Sequence, residues 1–359
     1  MSNPSFKVVA IKHTYPDTGI ERAVVERAGG RFVNADTFAD ADWLRECADA
    51  DAILVRWLKI TPELIATFSR CKIIVRYGIG YDNVDVNAAT RANIIVGHIP
   101  NYSIDEVSTH TIAMLLACAR NIVPTHQKIQ RGGFDENQDT IRWRTSGKTL
   151  GLVGLGNIGR AVARKMAGWG MRLIASDPFV DPAKAAALGV ELVDLETVCR
   201  TSDYVSLHTP LLPETRHIIG RRELGWMKPT AIVVNTARGP LLDGQALIEA
   251  LNENRIASAG IDVFEQEPLP PDSPFRSHPR VVVSDHIAWY SEESLQELKT
   301  TAAEECVRVA TGGLPRSLAN PEVLEQLGRW KDWEMNDTVR WQLKRLERLK
   351  TEPGYGKRM

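Results

Sequence analysis

Apolar residues fall first into short, nearly unbroken runs: Phe6 to Ile11, Ala52 to Trp57, Lys72 to Val75 and Asn93 to Val96. Segments rich in Ala, Glu, Asp and Arg separate them. Runs of this length without polar alternation suit strands covered on both faces, and their alternation with helix-like segments is the βαβ rhythm of a parallel sheet. Ser103-Ile-Asp-Glu106 then has the form of a capping box, and Ile112, Leu115, Leu116 and Ala119 follow at helical spacing. A long helix is expected to start there, with Pro124 kinking or ending it. A second series of strand-like runs covers Thr149 to Val153, Met171 to Ser176, Tyr204 to His208, Ala231 to Asn235, Ser258 to Val263 and Val281 to Val283. Ser291 to Ala310 reads as a helix closed by Gly312-Gly313. The remaining tail, 320–359, has no strand signal, but Trp330, Trp333 and Trp341 accompany Val339, Leu343 and Leu346 at helical spacing. A docked helix is the expected form, because tryptophan is scarce in disordered segments.

The first strand of the second series runs straight into Gly154-Leu-Gly156-Asn157-Ile158-Gly159, and Ile158 to Ala167 reads as the helix that leaves it. Gly-x-Gly-x-x-Gly between a strand and a helix lets backbone N–H groups and a helix N-terminus approach a pyrophosphate that a Cβ would keep away. The next strand ends at Asp177, at the offset where a carboxylate meets the ribose hydroxyls of NAD. The expected fold is therefore α/β, with two doubly wound, Rossmann-like parallel-sheet domains and NAD held by the second.

Composition narrows the classes of partner. The chain has 359 residues, enough for two domains of ordinary size, and its 44 basic and 45 acidic residues nearly cancel. That balance gives no global field for nucleic acid or an anionic membrane. Met1 to Ala10 lack the pattern of a secretory signal, and the longest apolar stretch, Ile112 to Ala119, is too short to span a bilayer. Five scattered cysteines without a Cys-x-x-Cys read as buried free thiols in a cytoplasmic protein, and no metal site is assigned.

Three polar residues follow strands of the second series: Arg238, Glu267 and His286. Strand ends of a doubly wound sheet are where ligands collect. Arginine grips a carboxylate with paired, charge-assisted hydrogen bonds, and histidine exchanges protons near neutral pH. A carboxylate on the second ring nitrogen would fix the tautomer. Taken singly, each also has an ordinary reading: Arg238 as a helix cap, Glu267 as a loop charge, His286 as a satisfied histidine.

Together the motifs resemble a family. Leu150-Gly-Leu-Val-Gly-Leu-Gly-Asn-Ile-Gly159, Leu207-His-Thr-Pro-Leu211, Val234-Asn-Thr-Ala-Arg-Gly239, Asp262-Val-Phe-Glu-Gln-Glu-Pro268 and His286 occur in the order and spacing of the D-isomer-specific 2-hydroxyacid dehydrogenases. The resemblance runs from about Phe6 to Leu318. Arg76-Tyr-Gly-Ile-Gly-Tyr-Asp-Asn-Val-Asp85, His286-Ile-Ala-Trp-Tyr-Ser-Glu292 and Thr311-Gly-Gly-Leu-Pro-Arg-Ser-Leu318 are similar to the branch containing the C-terminal-binding-protein corepressors and their bacterial relatives.

That resemblance implies a discontinuous substrate domain, 1–101 with 291–319, into which an NAD-binding domain, 102–290, is inserted. It implies transfer of a hydride between NAD(H) and C2 of a small 2-hydroxy or 2-oxo acid, with Arg238 on the substrate carboxylate and carbonyl, His286 as acid/base and Glu267 as its support. Gly154, Gly156, Asn157, Ile158, Gly159, Asp177, His208, Thr209, Pro210, Thr215, Thr236, Ala237, Arg238, Asp262 and His286 would line the cofactor. Arg76, Tyr77, Gly78, Ile79, Arg238 and Trp289 would meet the substrate, the turn Tyr77 to Gly80 offering backbone N–H groups across a cleft. Arg56 is either a second positive contact or a structural residue. A homodimer is implied, and the alternative function is an NAD(H)-responsive corepressor-like binding protein with little turnover. Two positions depart from the family: Asp285 replaces the usual proline before the histidine, and His98 stands where many relatives have asparagine.

Overall fold

A computed structural model describes residues 5–38, 42–134, 142–329, 344, 347, 348 and 351. The described residues fall into two compact units, one formed by Met1–Tyr102 with Ser291–Thr351 and the other by Ser103–Tyr290.

The first unit is built on five parallel strands: β1 (Lys7–Ile11), β2 (Arg31–Asn34), β3 (Ala52–Val55), β4 (Ile73–Arg76) and β5 (Ile95–His98). Their order is β2-β1-β3-β4-β5. Every residue of β3 is buried, as are the first three of β4, which explains the unbroken apolar runs. Helices Gly19–Arg27 and Glu292–Ala310 pack against each other, so the chain returns to this unit after completing the second. It stays there past Leu318: Asn320 is buried, receives the Val96 N–H at 2.8 Å and donates to Thr90 Oγ1 and the Ile94 carbonyl, both at 2.9 Å. Trp330, Trp333, Trp341, Val339, Leu343 and Leu346 lie outside the described residues.

The second unit carries seven parallel strands: β6 (Thr149–Val153), β7 (Arg172–Ser176), β8 (Val190–Leu192), β9 (Tyr204–Leu207), β10 (Ile232–Asn235), β11 (Ser258–Ile261) and β12 (Val281–Val283). The order β12-β11-β10-β9-β6-β7-β8 places a topological switch between β6 and β9. In such sheets a ligand is received at the carboxyl ends of the strands flanking that switch.

Two local expectations are corrected. The long helix does begin at Ile104, but the Ser103 side chain makes no capping bond and its hydroxyl is buried without a hydrogen-bond partner among the described residues. That helix ends at Ala119, not at Pro124: Asn121 takes a left-handed φ of 52° and breaks the chain direction, and Pro124 sits within the first turn of the next helix, Ile122–Gln130. Proline is tolerated in a first turn because the N–H it lacks would have no intrahelical acceptor. All five cysteines are buried free thiols. Among the described residues no helix is long and apolar enough to cross a membrane.

Candidate active site

At the end of β6 the chain turns through Gly154 with φ +97°, where an added Cβ would stand 2.8 Å from the His208 backbone. Gly159 lies in the first turn of helix Asn157–Met166, and a Cβ there would be 2.4 Å from the Gly154 carbonyl. These two glycines let the helix start hard against the strand. Gly156, the residue before the helix, faces open space and provides no side-chain cap. The helix N-terminus is thus approachable without a competing side-chain acceptor, as a pyrophosphate requires. Asp177, just after β7, accepts the Leu155 N–H at 2.8 Å on one oxygen and the Phe179 N–H at 2.9 Å on the other. A carboxylate is therefore held beside the glycine turn, and the residues present fit a dinucleotide.

Other predicted cofactor residues divide between lining and support. His208 and Thr209 follow β9, and the Thr209 hydroxyl donates to the Val153 carbonyl at 2.9 Å. His208 Nε2 lies 2.9 Å from Ser206 Oγ, and burial pulls its pKa down, which keeps the ring neutral. Pro210 is exposed beyond them. Thr215 is buried and donates to the Pro210 carbonyl at 2.7 Å, so it shapes this loop from behind. Asn157 Oδ1 accepts from Arg160 at 2.6 Å, and Ile158 packs on the core of the unit. Thr236 shares a 2.7 Å hydroxyl contact with Thr111, and the Ala237 N–H reaches Asn235 Oδ1 at 3.1 Å.

Two of the three strand-end residues, Glu267 and His286, meet in the second unit, and the charge of the third, Arg238, acts on Glu267. His286 Nδ1 is 2.6 Å from Glu267 Oε2, while Glu267 Oε1 accepts the Phe264 N–H at 2.8 Å. Burial alone would raise the Glu267 carboxyl, but the hydrogen bond and charge of His286, the Phe264 N–H and the Arg238 charge outweigh it and hold the group below its ordinary value. Arg238 Nη1 donates to the Ala237 carbonyl at 2.7 Å, and the Asn235 amide holds the Arg238 carbonyl at 2.8 Å. His286 itself has φ 58°, a left-handed conformation that costs a non-glycine residue about 1–3 kcal/mol unless its surroundings impose it.

Asp262 imposes it. Its carbonyl accepts the His286 N–H at 2.8 Å, and its fully buried carboxylate accepts Ser284 Oγ at 2.6 Å, the Ile287 N–H at 3.0 Å and the Ala288 N–H at 3.1 Å. Asp262 therefore orients the histidine turn, a more specific role than lining the cofactor. Sequence reasoning missed His110, whose Nε2 meets Ser284 Oγ at 2.9 Å and lies 3.7 Å from Asp262. Its place on the same helix face as Val107 and Met114, both buried, was the available signal. Trp289 is half-buried and edge-on to Tyr290, while Asp285 is exposed.

In the first unit, Arg76 ends β4 and leads into the glycine turn. Gly78 has φ +139°, which an L side chain rarely adopts, and the Arg76 guanidinium lies over it. Tyr77 is placed differently from the expectation of a substrate contact. Its N–H goes to the Val55 carbonyl at 2.8 Å and its buried hydroxyl donates to Glu21 at 3.0 Å. Burial and the Glu21 charge push the phenol pKa well up, so it remains a donor. The Gly78 N–H turns back to the Arg76 carbonyl at 2.9 Å. Arg56 reaches the His13 carbonyl and Thr14 Oγ1, both at 3.3 Å, between the rings of Tyr15 and Trp57, each 4.6 Å away.

Residues 112–288 match the model of the D-isomer specific 2-hydroxyacid dehydrogenase NAD binding domain. The chain is 40% identical over 294 residues to a D-3-phosphoglycerate dehydrogenase of Methanocaldococcus jannaschii, a match covering 81% of this chain but only 56% of that protein. It is 39% identical over 269 residues to a glyoxylate reductase of Korarchaeum cryptofilum, covering 74% and 81% of the two chains. A glyoxylate reductase structure from Paecilomyes thermophila superposes with a TM-score of 0.80 at 29% identity, covering 89% of this chain and all of the other. With the glycine turn, the Asp177 carboxylate and the Glu267–His286 pair in one unit, these similarities show that the chain belongs to the D-isomer specific 2-hydroxyacid dehydrogenase family and that its cofactor is NAD.

Proposed function

We infer that this NAD-dependent oxidoreductase interconverts a small D-2-hydroxy acid and its 2-oxo counterpart, with His286 as acid/base, Glu267 as its orienting carboxylate and Arg238 as ligand of the substrate carboxylate and carbonyl. The 2.6 Å contact between His286 Nδ1 and Glu267 carries this reading. With Nδ1 committed to a carboxylate, proton exchange with substrate passes through Nε2, and the carboxylate stabilises the imidazolium before it gives up its proton. NAD(H), held by the Gly154–Gly159 turn and Asp177, supplies hydride exchange at C2 when bound. Arg238 offers a planar fork to a carboxylate and a positive charge to oxygen as it becomes anionic. In the reverse direction His286 takes the hydroxyl proton.

Substrate contacts from the first unit are assigned to Arg76 and to the backbone of the turn at Gly78 and Ile79, and an aromatic contact is assigned to Trp289. Tyr77 supports the turn from within. An arginine at the substrate favours a 2-oxo acid with a second anionic or polar group, since a guanidinium pairs with an anion through charge-assisted hydrogen bonds. The relatives named above are enzymes, which favours turnover over the binding-protein alternative. We also propose a homodimer, which sedimentation of the full chain tests.

The decisive experiment is NADH oxidation, followed at its absorbance, against glyoxylate, hydroxypyruvate, pyruvate, phenylpyruvate, oxaloacetate and 2-oxoglutarate. Turnover of at least one, lost in H286A, is expected. Tight NADH binding without turnover of any would replace this reading with the binding protein.

A further inference from the structure

His98 is a buried histidine that the acid/base chemistry does not use. It ends β5, and both ring nitrogens are engaged: Nδ1 lies 2.9 Å from the Ile79 carbonyl and Nε2 lies 2.8 Å from Ser317 Oγ. A carbonyl can only accept, so Nδ1 carries the proton and Nε2 accepts the Ser317 hydroxyl. This one ring ties the centre of the glycine turn to the segment with which the chain returns to the first unit. Tyr77 fixes the entry of the turn through Glu21, and the Ile99 N–H holds the Gly78 carbonyl at 2.9 Å.

We propose that His98 is a positioning residue for substrate binding: by holding the Ile79 carbonyl it fixes the Ile79–Gly80 peptide, whose N–H, as part of the Tyr77–Gly80 turn, receives the substrate carboxylate. The proposal rests on the assignment of the turn to substrate. Peptide planarity makes the link rigid, since a carbonyl pinned on one side sets the direction of the N–H of the following residue, here Gly80. A mobile peptide at that point would weaken carboxylate binding while leaving hydride transfer and the proton transfer of His286 nearly untouched.

Two variants separate positioning from general support. In His98→Asn the amide nitrogen takes the place of Nδ1 and can still donate to Ile79, while the reach to Ser317 is lost. In His98→Gln the longer amide takes the place of Nε2, keeping Ser317 and losing Ile79. Both should lower the melting temperature. H98Q should raise KM for the best 2-oxo acid about threefold to tenfold, the span of one hydrogen bond, with kcat within about twofold and NADH affinity unchanged. H98N should hold KM close to that of the unaltered chain. Equal KM changes in the two variants, or no change in H98Q, would overturn the proposal. Failure of the unaltered protein to turn over any 2-oxo acid would instead overturn the functional reading beneath it.

Discussion

Acidification should destabilise the first unit through His98. Burial, reinforced by the Arg76 charge and opposed by the Ile79 carbonyl, lowers this histidine from an ordinary 6.5 to about 4. Between those values the unfolded chain binds a proton that the folded chain excludes, so stability falls as pH falls, beginning near 6.5 and complete below about 4. At pH 5 the gap is about 1.5 pH units, or roughly 2 kcal/mol at about 1.4 kcal/mol per unit. That is a large part of the roughly 5–15 kcal/mol that holds a typical domain together. Urea unfolding at pH 7 and pH 5 measures it without adding charge. His98→Asn cannot titrate; it should start less stable at pH 7 and then lose about 2 kcal/mol less than the unaltered protein on going to pH 5. Other carboxylates and histidines cancel in this double difference, provided the slopes against urea agree. If both proteins lose the same stability within about 0.5 kcal/mol, His98 is not held neutral and the burial argument is wrong.

Replacing His286 by Ala should cut kcat about a hundredfold to ten-thousandfold with NADH affinity nearly intact, as stopped-flow reduction and fluorescence titration would show. Glu267→Gln should be milder and should move the pH optimum for reduction downward, because the imidazolium loses its anion. An unchanged pH profile would remove Glu267 from the mechanism. The Glu267 carboxyl is held below its ordinary value, so its contribution should persist above that value and disappear only as pH falls through the lowered one. Asp177→Ala should narrow the preference for NADH over NADPH while costing stability, since two backbone N–H groups lose their acceptor; an unaltered ratio of catalytic efficiencies would count against contact with the ribose. Arg76→Ala should raise KM much more for the favoured substrate than for pyruvate, and equal effects would reject selection by this residue.

The central strands that hold the site were legible because they are buried on both faces and read as unbroken apolar runs, the edge strand β12 because Val281-Val-Val283 is apolar throughout, and the glycine turn because its chemistry is local. β2 and β8 were not. Both lie at sheet edges, where Arg31 and Glu191 are exposed and the apolar run is interrupted. Ser103 had the right neighbours for a capping box, yet its backbone φ of −131° and ψ of 27° turn the hydroxyl away from that bond. Strand-end positions in the sequence marked Arg238, Glu267 and His286, but the roles of Asp262, Thr215 and Tyr77 depend on where their polar atoms point once the chain has folded. His98 is the limiting case: its partner Ser317 lies 219 residues away. Periodicity and turn chemistry record what each residue demands of its neighbours in sequence. Which buried polar atom satisfies which other is decided by packing, because only the folded chain removes the water that would otherwise satisfy them both.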